Sequence, residues 1–135
     1  LAIVVTNQPV IARGEVSLEE LDNIHNKMET LLGESGAYVD AIYYCPHHPD
    51  KGFEGERPEY KKACDCRKQP KPGMLIKAAK EYNIDLKKSW MIGDGLNDIE
   101  AGEAAGCRCA LLKGNADHYD YENLYDAVKD ICKAL

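Results

Sequence analysis

Two short clips of cysteine and histidine are the residues of this 135-residue chain best suited to bind a metal ion. Cys45 and His47 form the first clip, and sixteen residues separate it from the second clip, Cys64 and Cys66. Three thiolates and one imidazole are a usual ligand set for tetrahedral zinc, and they leave no coordination position open for catalysis. The alternatives are ordinary loop residues, or His48 as the ligand in place of His47. The spacing favours a closed structural zinc site.

The segment that contains the second clip gives another reason to expect a bound metal. Residues 46–72 are rich in Pro, Lys, Asp and Glu and show no apolar periodicity. A structureless loop of that length is unusual in a compact domain unless it has a function or a cross-link. Structural zinc supplies on the order of 10 kcal/mol, which offsets the entropy lost when such a loop becomes ordered. We therefore expect a zinc-clipped loop over about residues 45–68.

Two groups of polar residues have the chemistry to bind a phosphate ester. Thr6 and Asn7 follow an apolar run and offer hydroxyl, amide and backbone donors, although turn residues have the same composition. Arg67 and Lys68 follow the second clip directly, so a fixed clip would aim a guanidinium fork and an ammonium at a phosphate. A solvated basic patch that includes Lys71 is the alternative for this second group.

Two carboxylates, Asp94 and Asp98, stand between an apolar run and an amphipathic segment in the order Gly-Asp-Gly-Leu-Asn-Asp. Carboxylates four residues apart at the end of a strand can hold a hard cation such as Mg²⁺ through carboxylate and water ligands. Asp98 has an alternative role as a first-turn acid that the helix dipole favours. Because glycines flank Asp94 and allow close approach, we expect Asp94 to be the functional residue.

The apolar pattern predicts the elements that position these residues. Strand and helix alternate, which is typical of a Rossmann-like α/β fold: a parallel sheet with helices on both faces and right-handed crossovers, here in one domain over residues 1–135. Ligands of such sheets bind at the carboxyl ends of the strands, so we expect the loops after Thr6, Pro46 and Gly93 to share one site. The predicted strands are 2–5, 39–45, 90–92 and 107–112, and the predicted helices are one capped by Ser17 and Glu20, then 73–82, 97–105 and about 119–135.

Composition limits the function classes. A formal net charge of −6 disfavours a general nucleic-acid binder. The longest apolar stretches are far too short to span a bilayer, and the chain opens on a strand-like run rather than a signal peptide. Three of the six cysteines belong to the clips, which favours metal binding in the cytoplasm over disulfides. Cys107, Cys109 and Cys132 are expected to be small buried apolar residues.

Motifs that follow one another along the chain carry a family resemblance. They are Val-Thr-Asn-Gln, Ile-Ala-Arg-Gly, Tyr-Tyr-Cys-Pro-His-His-Pro, Cys-Asp-Cys-Arg-Lys, Pro-Gly-Met and Ile-Gly-Asp-x-Leu-x-Asp-Ile-Glu-Ala-Gly. From about Ala2 to Leu112 the chain resembles the D-glycero-D-manno-heptose 1,7-bisphosphate phosphatases of the haloacid dehalogenase (HAD) superfamily, whose close relatives are histidinol-phosphate phosphatases. The two cysteine motifs are the most specific part of the resemblance.

The resemblance implies a HAD-like fold without a large cap domain, and a monomer that hydrolyses a small-molecule sugar phosphate. In this family an aspartate attacks phosphorus while Mg²⁺ neutralises charge, and water then hydrolyses the acyl phosphate. By resemblance the residues would act as follows: Thr6 binds phosphate, Asn7 orients substrate, Lys68 stabilises nucleophile and phosphoryl group, Arg67 contacts substrate, Asp94 binds Mg²⁺ with support from Asp98, and Cys45, His47, Cys64 and Cys66 bind zinc.

The chain departs from the family pattern in three places. No Asp-x-Asp-Gly-Thr-like motif occurs, so we expect the first strand and its nucleophile to be missing and the chain alone to be inactive. Gln69 lengthens the run before Pro-Gly-Met, which lets Lys71 compete for part of the role of Lys68. Gly95 stands where many relatives carry a basic residue. The alternative to an enzyme is a non-catalytic, zinc-stabilised module that binds a phosphorylated ligand or a protein partner.

Overall fold

The computed structural model describes residues 1–47, Glu59 and residues 72–135. The chain divides into two compact units, Leu1–Lys68 and Gln69–Leu135, and the prediction of a single domain stays a prediction. The first unit contains β1 (Ile3–Asn7), α1 (Leu18–Glu34) and β2 (Ala41–Cys45); the second contains α2 (Gly73–Tyr82), a 3-10 turn (Leu86–Lys88), β3 (Trp90–Gly93), α3 (Leu96–Ala105), β4 (Arg108–Leu111) and α4 (Leu124–Lys133).

The first unit contains one parallel strand pair joined by a helix. β1 and β2 pair in parallel, and the register places Asn7 opposite Cys45. The predicted capping box begins α1: Ser17 Oγ accepts a hydrogen bond from the Glu20 N–H at 3.1 Å, and Glu20 Oε2 accepts one from the Ser17 N–H at 2.7 Å. These reciprocal bonds satisfy two of the donors that a helix start leaves unpaired, so they fix where α1 begins.

The segment between β1 and α1 supplies part of the core. Ile11 and Ala12 are 0% and 1% exposed, so this connecting segment contributes apolar side chains to the core. Hydrogen bonds from the Ile11 N–H to the Gln8 carbonyl and from the Arg13 N–H to the Pro9 carbonyl close successive turns, which direct the two apolar side chains inward. Thr6 and Asn7 thus lie at the end of β1, and the buried side chains of Ile11 and Ala12 hold the segment that follows.

The second unit repeats the parallel arrangement with a shorter helix. β3 and β4 pair in parallel, with Gly93 opposite Leu111. α3 is the crossover between them and lies close to both strands: a Cβ placed on Gly102 would meet the Cys109 sulfur at 2.6 Å and the Met91 Cβ at 2.7 Å. The Arg108 guanidinium lies over the single tryptophan, Trp90, 5.4 Å from the ring centroid.

Parallel α/β architecture is confirmed in both units, and the described strands form two two-stranded sheets. The prediction of the last helix needs correction. α4 begins at Leu124, where Asn123 accepts the Asp126 N–H at 2.9 Å, rather than near residue 119. Leu124 and Val128 of this helix are exposed, and the residue that it buries is Ala127. None of the described helices has the length and apolar character that a membrane span requires.

We predict that Ser17→Ala lowers the free energy of unfolding by about 1 kcal/mol, because the first turn of α1 loses its side-chain acceptor. Urea denaturation followed by circular dichroism measures this change. Ser35→Ala is the matched control, because Ser35 lies at the exposed carboxyl end of the same helix and caps it through its backbone N–H. Equal effects of the two substitutions would contradict the role of the capping box.

Candidate metal centre and phosphate-binding residues

The turn that carries Asp94 connects β3 to α3. It consists of Gly93, Asp94 and Gly95, which we call the Asp94 turn, and Asp94 is exposed on it. Asp98, in the first turn of α3, accepts a hydrogen bond from the Gly95 N–H at 3.2 Å through Oδ2. A Cβ on Gly93 would lie 2.5 Å from the Asp98 Cβ, so only glycine fits there. The Asp98 carboxylate therefore stabilises the turn through this hydrogen bond.

This geometry separates the roles of the two carboxylates. Asp98 directs one carboxylate oxygen to the backbone of the turn, whereas the described residues provide no hydrogen bond or ion pair to the Asp94 carboxylate. No group of three His, Cys, Asp or Glu side chains with metal-binding geometry occurs within the described ranges. Mg²⁺ keeps several waters and binds proteins through one or two carboxylates, so Asp94 with Asp98 behind it fits this ion rather than an all-protein cage.

The loop after β4 contacts the Asp94 turn, and this contact was not predicted from the sequence. The Leu112 N–H donates to the Gly93 carbonyl at 2.8 Å, which continues the β3–β4 pairing by one residue. Gly114 then lies so close to Asp94 that a Cβ there would overlap the Asp94 carbonyl oxygen. A glycine shortly after a strand is a general signal of a close approach between two backbones, but it does not indicate which backbone approaches.

The phosphate-binding candidates of the first unit lie at the carboxyl end of β1. Thr6 Oγ1 accepts a hydrogen bond from Gln8 Nε2 at 3.1 Å, and Asn7 is exposed. The Gln8 N–H donates to the Cys45 carbonyl at 2.8 Å. The end of β1 is thus bound through the backbone to the first cysteine clip, so the structure brings Thr6 and Asn7 together with Cys45.

The two side chains of the first clip, Cys45 and His47, lie in contact with each other. Cys45 is 0% exposed at the end of β2, and its Sγ lies 3.6 Å from His47 Nδ1. Tetrahedral zinc with Zn–S of ~2.3 Å and Zn–N of ~2.0 Å separates its sulfur and nitrogen ligands by ~3.6 Å. The Cys45 sulfur also takes part in a disulfide bond, which is the competing use of this thiol. The role of the clip as half of a zinc site stays a prediction.

Several predicted site residues lie outside the described residues: Cys64, Cys66, Arg67 and Lys68, together with the alternatives His48 and Lys71. Their roles stay predictions. The expectation that the loops after Thr6, Pro46 and Gly93 share one site spans the two units and also stays a prediction.

Cys107, Cys109 and Cys132 are free thiols that differ in their exposure to solvent. Burial raises the pKa of the Cys107 thiol, and burial together with Glu103 and Cys107 raises the pKa of Cys109 to about 11. Both thiols are partly buried and stay protonated near neutral pH, as expected for small apolar residues. The prediction is wrong for Cys132, which is exposed because it lies on the outer face of α4.

Comparison with known proteins places these features in a family. Residues 66–134 match the profile of the HAD-hydrolase-like family. The chain is 48% identical to a D-glycero-beta-D-manno-heptose-1,7-bisphosphate 7-phosphatase of Photorhabdus laumondii, in an alignment that covers 98% of the chain and 71% of the relative. A protein of the same name from Pseudomonas aeruginosa is 43% identical, over 82% of the chain and 55% of the relative.

Two solved structures are similar over almost the whole chain. The D,D-heptose 1,7-bisphosphate phosphatase of B. bronchiseptica, crystallised with magnesium and phosphate, has a TM-score of 0.79 at 32% identity and is covered over 74% of its length. A HAD-like phosphatase from Mesorhizobium loti has a TM-score of 0.80 at 32% identity and is covered over 64%. The chain spans between about half and three quarters of these relatives.

The exposed Asp94 between two glycines, the paired parallel strands and the similarity along the chain agree with one another. The chain belongs to the D-glycero-D-manno-heptose 1,7-bisphosphate phosphatase family of HAD-like hydrolases.

Proposed function

We propose that the protein is a magnesium-dependent phosphatase of a sugar bisphosphate of the heptose 1,7-bisphosphate type, acting through a phosphoaspartate. The observation that carries the proposal is Asp94, an exposed carboxylate at the carboxyl end of β3 on a turn that Asp98 fastens. Relatives that bear this activity in their names support the substrate class, and a structural relative crystallised with magnesium and phosphate supports the ion.

In this proposal Asp94 holds the ion, which supplies charge neutralisation at the phosphoryl group when bound. Asp98 keeps the Asp94 turn in place. Thr6 uses its oxygen to accept from Gln8, which leaves its O–H proton available to donate to a phosphate oxygen. Asn7, exposed beside it, orients the substrate. The attacking aspartate belongs to an Asp-x-Asp motif that these 135 residues do not contain.

The basic pair completes the proposed phosphate contacts. Arg67 and Lys68 follow the second clip directly in sequence, so a metal in the clips would limit where their cations point. Lys68 would stabilise the nucleophile and the phosphoryl group, and Arg67 would contact the substrate through its planar fork. We propose that the protein acts as a monomer in the cytoplasm on a small-molecule substrate.

Two other functions compete with this one. A histidinol-phosphate phosphatase would use the same catalytic residues on a different ester, and a non-catalytic module would bind a phosphorylated ligand or a protein without turnover. The names of the relatives favour the heptose substrate. A panel of phosphate esters given to the active protein separates the first two functions, and the absence of turnover on every ester would favour the module.

We predict that the purified 135-residue chain releases negligible phosphate from a sugar bisphosphate in the presence of Mg²⁺, because covalent catalysis needs the absent aspartate. Fusion to an amino-terminal segment that supplies the Asp-x-Asp-Gly-Thr-like motif of the family should restore turnover. The matched control is the same fusion with its nucleophilic aspartate changed to asparagine. Robust magnesium-dependent phosphate release by the unfused chain would refute this prediction, and an inactive fusion that folds and binds Mg²⁺ would favour the binding module.

We predict that Asp94→Asn in the active fusion lowers kcat/KM by about 100-fold or more, which corresponds to ~2.7 kcal/mol of transition-state stabilisation. Glu100→Gln is the control, because it makes the same chemical change at an exposed position of α3. Asp98→Asn should cost less than Asp94→Asn, since an amide oxygen can still accept from the Gly95 N–H. Steady-state kinetics over a range of Mg²⁺ concentrations measures all three variants.

We also propose that Cys45, His47, Cys64 and Cys66 hold a structural zinc ion. The 3.6 Å separation of Cys45 Sγ and His47 Nδ1 supports this, because it is close to the spacing of two ligands on one tetrahedral ion. The bound zinc would fix the loop that precedes Arg67 and would have no open position of its own. The alternative is a disulfide at Cys45, with no metal.

We predict about one zinc ion per chain after purification under reducing conditions. Cys45→Ser should abolish the zinc content and lower the free energy of unfolding by several kcal/mol, because the loop loses its cross-link. Cys132→Ser, which alters an exposed free thiol, should keep both the zinc and the stability. Elemental analysis that finds no metal in the unsubstituted chain, with all six thiols titratable, would exclude the site.

A further inference from the structure

We infer that Gly114 is a positioning residue for Asp94: the loop after β4 packs against the backbone of Asp94 and so sets where the Asp94 carboxylate points. The inference rests on the proposed function, because it concerns the affinity of Asp94 for a divalent cation. No hydrogen bond or charge on Gly114 is required. The absence of a side chain is what matters.

The contact is between two backbones. A Cβ on Gly114 would overlap the Asp94 carbonyl oxygen and would lie 3.4 Å from both the carbonyl carbon and the Cβ of Asp94. Gly114 is not among the residues with positive φ, so its requirement for glycine comes from this contact and not from its own conformation. Alanine at position 114 therefore has to move either the loop or Asp94.

Backbone hydrogen bonds hold both ends of the loop. The Leu112 N–H donates to the Gly93 carbonyl at 2.8 Å, and the Lys113 N–H donates to the Tyr121 carbonyl at 2.9 Å. Asp120 Oδ2 accepts from the Leu111 N–H at 2.8 Å. Residues on both sides of Gly114 are thus bound to β4 or to β3. We call residues 112–121, which leave β4 and come back to it, the return loop.

A side-chain cluster closes the base of the return loop. Lys113 Nζ forms an ion pair with Glu122 Oε2 at 3.0 Å, and the Tyr119 hydroxyl donates to Glu122 Oε1 at 2.5 Å. The Lys113 ammonium also lies 5.6 Å from the centre of the Tyr119 ring. Each of these exposed contacts is weak alone, but together they link the residue before Gly114 to the end of the loop.

The Asp94 turn consequently has two fixed contacts. Asp98 accepts a hydrogen bond from the Gly95 N–H, and Gly114 packs against the Asp94 carbonyl. Because the carboxylate extends from the same backbone, a displacement of that carbonyl changes the direction of the carboxylate. Small displacements of metal ligands weaken coordination, since Mg²⁺ and Mn²⁺ favour octahedral geometry.

The test compares the unsubstituted chain with Gly114→Ala, and uses Gly33→Ala as the matched control, because no heavy atom lies within 4 Å of a Cβ at Gly33. Two measurements are made on the 135-residue chain. Amide ¹H–¹⁵N spectra without divalent cation report the backbone of Asp94 and Gly95. Electron paramagnetic resonance of added Mn²⁺, a probe for the Mg²⁺ site, gives the dissociation constant.

We expect Gly114→Ala to shift the Asp94 and Gly95 amide resonances and to weaken Mn²⁺ binding about tenfold, while Gly33→Ala changes neither. Glu122→Gln, which loosens the base of the return loop without a steric clash, should change both in the same direction by a smaller amount. This second variant decides the question if Gly114→Ala does not fold. Unmoved Asp94 and Gly95 resonances in a folded variant would overturn the inference, and so would moved resonances with unchanged Mn²⁺ affinity.

Asp94→Asn separates a failure of the inference from a failure of the proposed function. If the unsubstituted chain and Asp94→Asn bind Mn²⁺ equally, the magnesium site proposed at Asp94 is wrong. In that case the inferred role of Gly114 in cation binding is also wrong. If Asp94→Asn alone loses the ion while Gly114→Ala keeps it, the function stands and the positioning role is overturned.

Discussion

The close packing around the Asp94 turn is the constraint on which the second unit depends. Three structural requirements meet within a few residues: β3 has to end, α3 has to begin, and a carboxylate has to remain exposed. Glycine at position 93 makes room for the Asp98 side chain, and Asp98 in turn supplies the acceptor that the Gly95 N–H needs at the helix start. One side chain thus caps the helix and shapes the turn that presents its neighbour.

Both units use the same construction. In each, a helix crosses over from a first strand to a second, which pairs in parallel with the first. The candidate binding residues stand at the carboxyl end of the first strand of each pair: Thr6 and Asn7 are the last residues of β1, and Asp94 directly follows β3. In each unit, the residue that follows one strand donates a backbone hydrogen bond to the last residue of the other strand. Gln8, after β1, donates to Cys45, and Leu112, after β4, donates to Gly93. The exposed groups are thereby attached to hydrogen-bonded backbone instead of to free loops.

Much of this could be predicted from the sequence, because the signals are local. The Ser17–Glu20 capping box, the helix Gly73–Tyr82 and the strand before Asp94 follow from residue types within a few positions of one another. The family resemblance, which rests on motifs in a fixed order, agrees with the relatives found by comparison. The burial of Ile11 could not be predicted, since it depends on turns that only the folded backbone defines. The approach of Gly114 to Asp94 joins residues twenty apart through strand pairing, and no local pattern encodes it.

The stacking of Arg108 on Trp90 has a practical consequence for how the molecule can be observed. Trp90 is the one tryptophan of the chain, and it lies on the strand that leads to the Asp94 turn, in the second unit. Its fluorescence therefore reports the melting of one half of the protein, whereas the far-ultraviolet dichroism of α1 and α2 reports both halves. Coincident curves from the two signals would mean that the units unfold as one cooperative body. Separate curves would assign a stability to each half without any added label.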